Sequence, residues 1–181
     1  PALGSDMHNE LAAQVGAKLK DGNIVVDSHQ RTSIPGLYAA GDAANFFHSA
    51  LEKRTRVEHE DNAVAMGKLA GHNMAGASEA YTRIPMFYSD LFELGYEAVG
   101  DTSSKLKTVS DWQEEPFKKG VIYYLDEGRV RGVLLWNVWD FVPEARALLN
   151  AVGPFRAADL IGRLSSENQQ STSIALLGAK K

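Results

Sequence analysis

Ile34-Pro-Gly-Leu-Tyr-Ala-Ala-Gly-Asp42 decides the fold. Ile34-Pro35-Gly36 reads as a turn, because proline fixes φ and glycine accepts the angles that follow. Leu37 to Ala40 is a short apolar run, which predicts a strand buried on both faces. The run stops at Gly41, where the missing Cβ lets another backbone or a ligand come close. Asp42 then puts a carboxylate at the carboxyl end of that strand, the edge at which open α/β sheets bind ligands. A bare Gly-Asp would signify only a strand ending in a turn aspartate. The whole nine-residue string is far less common.

Upstream, Leu11, Ala12, Val15 and Leu19 within Ser5–Lys20 fall at roughly helical spacing and predict a short surface helix or loop. Lys20-Asp-Gly-Asn23 is a turn, Ile24-Val-Val26 a β-branched strand, and a polar link runs through Arg31 to Ile34. Downstream, Asn45 to Arg54 reads as a connector with an aromatic pair, Phe46-Phe47, leading into a basic cluster of Lys53, Arg54 and Arg56. A helix is predicted from about Thr55 to Met74, with Thr55-Arg-Val-Glu58 as its capping box. Ala63, Gly67, Ala70 and Gly71 on one face would let it sit close to a sheet, and Gly76 is a stop.

After Tyr81 the texture changes. Gly95 to Gly100 is predicted as the first strand of a second unit, with Thr108 to Trp112 as another. Residues 120–125 and 129–136 flank Asp126-Glu-Gly128 as a hairpin. Pro143 opens a helix to about Leu149. Meandering strands followed by a helix indicate an α+β domain. The serine- and glutamine-rich stretch after Ser165 reads as disordered.

The totals exclude several classes. With 181 residues the chain can hold one domain or two small ones. A net charge of −4 argues against a nucleic-acid or anionic-membrane partner, and no apolar run approaches the ~20 residues a membrane span needs. There is no cysteine, hence no disulfide and no dithiol centre. The five histidines show no ligand spacing, so no metal site is expected. No Gly-x-Gly-x-x-Gly phosphate loop occurs among the sixteen glycines, and residues 1–76 supply too few strands for a parallel sheet. The chain begins at Pro1 without a secretory pattern. We therefore expect the C-terminal part of a longer protein.

The organising string resembles the second flavin-binding motif of two-dinucleotide-fold FAD oxidoreductases, whose aspartate binds the ribityl–pyrophosphate chain. Gly41-Asp-Ala-Ala44, Arg56-Val-Glu-His59 with Ala63, Arg83 to Asp90, Gly95-Tyr-Glu-Ala98 and Leu135-Trp-Asn137 together resemble the apoptosis-inducing-factor branch of the FAD-dependent NAD(P)H oxidoreductases. The resemblance spans about residues 20–150. The fold class it implies is α+β overall: the C-terminal piece of an α/β FAD-binding domain over 1–79, an α+β antiparallel-sheet domain over 80–152, and a short helix with a tail over 153–181.

It further implies that Gly41 and Asp42 bind FAD and that His59 and Glu60 lie at the flavin. Glu58 and His59 would meet the nicotinamide nucleotide, as would Tyr88, Glu97 and Asn137. Tyr88 stands where the family commonly has tryptophan. On the residues alone, His59 is an exposed first-turn histidine, Glu58 a capping residue, Glu97 a solvent-facing strand carboxylate and Asn137 a hairpin-end amide. The helix start suits the negative charge of a reduced flavin. Nothing here needs to be an acid, base or nucleophile, since the flavin carries the hydride from NAD(P)H to an electron acceptor.

Two features depart from the animal members: Trp112 to Lys119 closes a long insertion to a few residues, and the chain is acidic. Neither insertion-linked regulation nor DNA binding is carried over. The alternatives are a ferredoxin- or rubredoxin-reductase relative, whose branch has an aromatic residue near His59 or Glu60, and a non-catalytic module. In the latter, Trp136, Val138 and Trp139 would form an interface, with a homodimer as the simplest partner.

Overall fold

The computed structural model describes residues 7, 9–114 and 117–165. They form two units, one running to Pro85 and one from Met86. The stretch read as disordered after Ser165 lies outside the described residues.

In the first unit a short helix, α1 (Glu10–Gln14), precedes a hairpin of β1 (Leu19–Lys20) and β2 (Asn23–Val25). Its turn residues, Asp21 and Gly22, both have positive φ (51° and 75°), as a tight hairpin turn requires. Strand β2 pairs in parallel with β3 (Ala44–His48), and β3 pairs antiparallel with β4 (Lys53–Thr55). The sheet order is β1-β2-β3-β4. Helix α2 spans Glu60–Met74.

The predicted strand at Leu37–Ala40 does not form. Pro35-Gly36 folds the run back onto the polar link, so Leu37 O accepts from Thr32 N (3.0 Å) and Ala39 N donates to Gln30 O (3.1 Å). Tyr38 meets Arg31 in one isolated antiparallel bridge. Backbone groups satisfied in this loop are not available to a sheet. The strand lies one step further on, within the segment expected to be a connector: residues 45–54 contain most of β3 and part of β4. Phe46 is the reason. It is buried with Val26, Ala44, Met66 and Tyr81, and its ring meets Tyr81 edge-on at 5.5 Å. His48 is buried too, its Nε2 bonded to Arg83 O (3.0 Å) while Nδ1 accepts from Leu51 N (3.3 Å). Burial lowers its pKa below the ordinary 6.5, which favours the neutral ring.

Helix α2 also starts later than predicted. Thr55 is held in β4 by its pairing with Phe46, so it cannot cap. His59 caps instead, extended at φ −159°, with Nδ1 accepting from Asp61 N (3.3 Å). The buried face is Asn62, Met66, Ala70 and Asn73, whereas Gly67 and Gly71 of the expected small-residue stripe are exposed. The basic cluster is not an open patch. Arg54 donates to Val26 O (3.0 Å) and Asn45 O (2.8 Å), tying β4 to its neighbours, and Arg56 pairs with Glu58.

The second unit is an antiparallel sheet of β5 (Met86–Leu91), β6 (Leu94–Gly100), β7 (Lys107–Trp112), β8 (Gly120–Asp126) and β9 (Arg129–Trp136), in the order β5-β6-β9-β8-β7. The first strand is therefore β5, one earlier than predicted. The β8–β9 hairpin forms as expected, with Glu127 and Gly128 at φ 48° and 78°. Helix α3 (Val142–Asn150) has Pro143 in its first turn and packs on β6 and β9. A last helix, α4, covers Ala157–Leu160. Alternation decides the two faces. Val99, Val121, Tyr123, Val133 and Leu135 are fully buried, while Phe87, Tyr96, Ile122, Leu134 and Trp136 are half-buried on the other side.

Two glycine substitutions separate crowded from open backbone. A Cβ on Gly132 would run into the Asp101 carbonyl, which cannot swing away. Gly132→Ala should cost about 1–3 kcal/mol. Gly67 has nothing within 4 Å of a Cβ, so Gly67→Ala should stabilise by about 0.5–1 kcal/mol. Urea unfolding midpoints check both signs.

Candidate functional site

The Gly41-Asp42-Ala43 segment is a 3-10 turn leading into β3. Gly41 is buried at φ 71°, and a Cβ there would stand 3.1 Å from the Cβ of Ala63. The turn therefore sits directly on the first turn of α2. Two separate costs keep larger residues out, the left-handed backbone and the contact. Asp42 is half-buried beside it.

Around that helix start, Glu58 is exposed and paired to Arg56, His59 is half-buried as the cap, and Glu60 is exposed. Asp61 grips Arg83 in a two-pronged pair (3.1 and 2.5 Å), a partnership the sequence reading missed because 22 residues separate them. Side-chain bonding to Asp61 raises the Arg83 pKa further. Asn62 anchors the turn from inside, accepting from the Tyr81 hydroxyl (2.9 Å). Gly41, Asp42, His59 and Glu60 are thus gathered at one place in the first unit.

The other three candidates belong to the second unit. Tyr88 on β5 and Glu97 on β6 face each other directly in the sheet register. Glu97 Oε2 is buried without a hydrogen-bond partner. Burial pushes its carboxyl up from the ordinary 4.5, and the nearby Asp140 charge adds to that. Asn137 plays a different part. Its Oδ1 accepts from Gly95 N (2.7 Å), its Nδ2 donates to Lys118 O (2.9 Å), and its own N donates to Gly95 O (2.8 Å). The amide is spent on holding β6, the end of β9 and the loop at Lys118 together. The reading also passed over what Gly95 is for: a Cβ there would strike the Trp139 ring (2.5 and 2.8 Å) and Asp90 Oδ1 (2.6 Å).

Residues 2–67 match the family model for pyridine nucleotide-disulphide oxidoreductases. Residues 70–115 and 110–151 match that for the C-terminal part of the mitochondrion-associated apoptosis-inducing factor. Over residues 2–67 the chain is thus similar to the pyridine nucleotide-disulphide oxidoreductases. Among similar proteins, apoptosis-inducing factor 1 of Dictyostelium discoideum is 44% identical over 124 residues, covering 62% of this chain and 23% of that protein. The Fdr9 crystal structure aligns with a TM-score of 0.69 at 31% identity, covering 82% of this chain and 39% of that one. The covalent putidaredoxin reductase–putidaredoxin complex aligns at 0.76 with 23% identity, over 95% of this chain and 40% of that one, a likeness of fold. The chain spans about a quarter of the length of its curated relatives, 23% and 22% for two apoptosis-inducing factors.

The cofactors of this family are FAD and NAD(P)H, and the residues of the first unit fit a flavin nucleotide. Gly41 offers a backbone without a side chain, Asp42 offers a carboxylate that accepts from sugar-alcohol hydroxyls, and the α2 start offers N–H groups to ring carbonyls. Among the described residues there is no His/Cys/Asp/Glu group suited to a metal ion, and no helix is long and apolar enough to cross a membrane.

Glu97 makes the electrostatics testable. Because folding raises its pKa above 4.5, the native state holds the proton more readily, and stability is lost as pH rises through the native value. Glu97→Gln should raise the melting temperature at neutral pH. The gain should shrink to nothing below about pH 4.5, where both states of the wild type are protonated. Thermal melts of the two proteins across pH would show it. A constant difference would exclude this carboxyl as the source.

Proposed function

We propose that this chain is the C-terminal portion of an FAD-dependent oxidoreductase that passes hydride from NAD(P)H to FAD and on to a further electron acceptor. The observation that carries the reading is the Gly41–Asp42 turn set on the first turn of α2. Gly41 sets the turn against Ala63, Asp42 accepts hydrogen bonds from the cofactor's hydroxyls, and the helix start with His59 and Glu60 orients the ring edge. Bound flavin supplies the hydride chemistry. In this reading Glu58 and His59 of the first unit meet the nicotinamide nucleotide, and within the second unit Tyr88 and Glu97 are its candidate contacts. Asn137 acts on the same region by holding β6 in register rather than by spending its amide on the ligand.

Asp42→Ala in the full-length parent protein should weaken FAD retention about 10–100-fold, the loss of one charge-assisted hydrogen bond of about 1.5–3 kcal/mol. Flavin content after gel filtration is the measurement. Stoichiometric FAD in the variant would overturn the assignment.

A second reading, an interaction or homodimer module, is favoured by the half-buried ladder of Phe87, Tyr96 and Trp136. Tyr96 and Trp136 stack at 6.1 Å with 7° between their planes. A flavin absorption band in the purified chain supports the first reading for this piece, and a colourless protein that self-associates supports the second.

A further inference from the structure

The chain that leaves α2 turns and runs back along it, held there by side-chain ties. Asn73, near the helix end, accepts at Oδ1 from Glu79 N (2.8 Å) and donates from Nδ2 to Glu79 O (2.9 Å). Nearer the helix start, the Tyr81 hydroxyl donates to Asn62 Oδ1 (2.9 Å), and the Arg83 fork closes on Asp61 (3.1 and 2.5 Å). Arg83 is fixed at its backbone as well. Buried His48 accepts at Nδ1 from Leu51 N, so its ring proton sits on Nε2 and is donated to Arg83 O (3.0 Å). A residue gripped at both its carbonyl and its guanidinium has little conformational freedom left.

Asp61, the residue gripped, has a second duty. Its backbone N donates to Nδ1 of His59, the cap of α2 (3.3 Å). An N–H in the first turn of a helix has no partner within the helix, so this cap satisfies a group that would otherwise be orphaned. Accepting at Nδ1 also decides the other nitrogen: a neutral His59 ring then carries its proton on Nε2. The Asp61 carboxylate is the natural competitor. It accepts only, it lies two residues from the ring, and a proton on Nδ1 would suit it. The two-pronged pair with Arg83 occupies it, and a fork does this with a fixed geometry that an ammonium group lacks.

We propose that Arg83 is the positioning residue of the α2 start: anchored by His48, it keeps the Asp61 carboxylate from His59 and so fixes the His59 ring in its Nε2–H form. His59 then meets a bound ring only as a donor. The ligand class that follows is a ring edge offering an acceptor, a carbonyl oxygen or an unprotonated ring nitrogen. Taking that ring for the flavin rests on the function proposed above.

The test uses the full chain without added flavin, at about pH 8, above the ordinary histidine range. The readouts are the ring-nitrogen NMR shifts of His59 and the hydrogen exchange of the Asp61 amide. The wild type should show Nδ1 unprotonated and Nε2 protonated. Arg83→Gln should give a mixture of the two ring forms and speed Asp61 exchange about tenfold, the loss of a cap. The Met66 and Ala70 amides inside α2 should keep their protection. Arg83→Lys should fall between, and it carries the test if Arg83→Gln does not fold. Adding Asp61→Ala to Arg83→Gln should return the ring to the Nε2–H form, a rescue that mere loosening of the segment would not give. A wild-type ring protonated at Nδ1, an unchanged ring in the folded Arg83 variants, or equal loss of protection along the whole of α2 would each overturn the proposal. The FAD content of the parent protein is a separate measurement. A parent that holds FAD while the Arg83 variants leave the ring unchanged sinks this inference and spares the proposed function. A ring that shifts as expected in a parent that holds no FAD does the reverse.

Discussion

The contact between Gly41 and Ala63 is the constraint on which the first unit depends. A left-handed glycine without a Cβ lets a 3-10 turn rest on a helix, with 3.1 Å left for any added atom. That contact orients the start of α2, and the start of α2 carries His59, Glu60 and Asp61. It also delivers the chain into β3, whose Phe46 closes the core with Val26, Met66 and Tyr81. One residue type at one position thus governs a turn, a helix start and a strand entry together. The polar groups nearby reinforce the arrangement: Asn62 holds Tyr81, Asp61 holds Arg83, and His48 reads the Arg83 carbonyl.

The second unit solves a different problem. Its sheet has one mostly buried face and one half-buried face, and the helix α3 packs on β6 and β9. Residues near the β5 edge of the buried face are only partly sheltered. Glu97 and Tyr88 are found there, where a carboxyl can be desolvated without being sealed in. A similar Glu97 in the middle of β9 would face full burial and no water at all. The close fit of Trp139 over Gly95 has the same origin, since small residues at a strand start let a following loop fold back over the sheet.

How much of this was legible beforehand differs by element. The β8–β9 hairpin was readable to within one residue, because alternation and a Glu-Gly turn are local signals. Helix α3 was readable from Pro143. The segment from Leu37 to Thr55 was misread: the more continuous apolar run became a loop and the mixed one, with Asn45 and His48, became strands. Hydrophobic pattern cannot distinguish these, because Asn45 and His48 are buried by hydrogen bonds whose partners, Arg54 and Arg83, lie elsewhere in the chain. The start of α2 was misplaced for a related reason. Thr55-x-x-Glu58 is a valid cap in isolation, and only the pairing of Thr55 with Phe46 removes it.

By itself the sequence determined the chemistry on offer: a glycine followed by an aspartate, a helix start rich in carboxylates, and aromatics spaced along strands. Those depend on residue identity and on interactions a few residues apart. Tertiary structure alone decided which groups meet. Tyr88 faces Glu97 through register, Trp139 covers Gly95 through the Asn137 clamp, and Gly41 meets Ala63 through helix packing. The last two join residues more than twenty positions apart and turn on the absence of a single carbon atom. Local propensity is blind to both, because it measures the preference of a segment and not the space left by another.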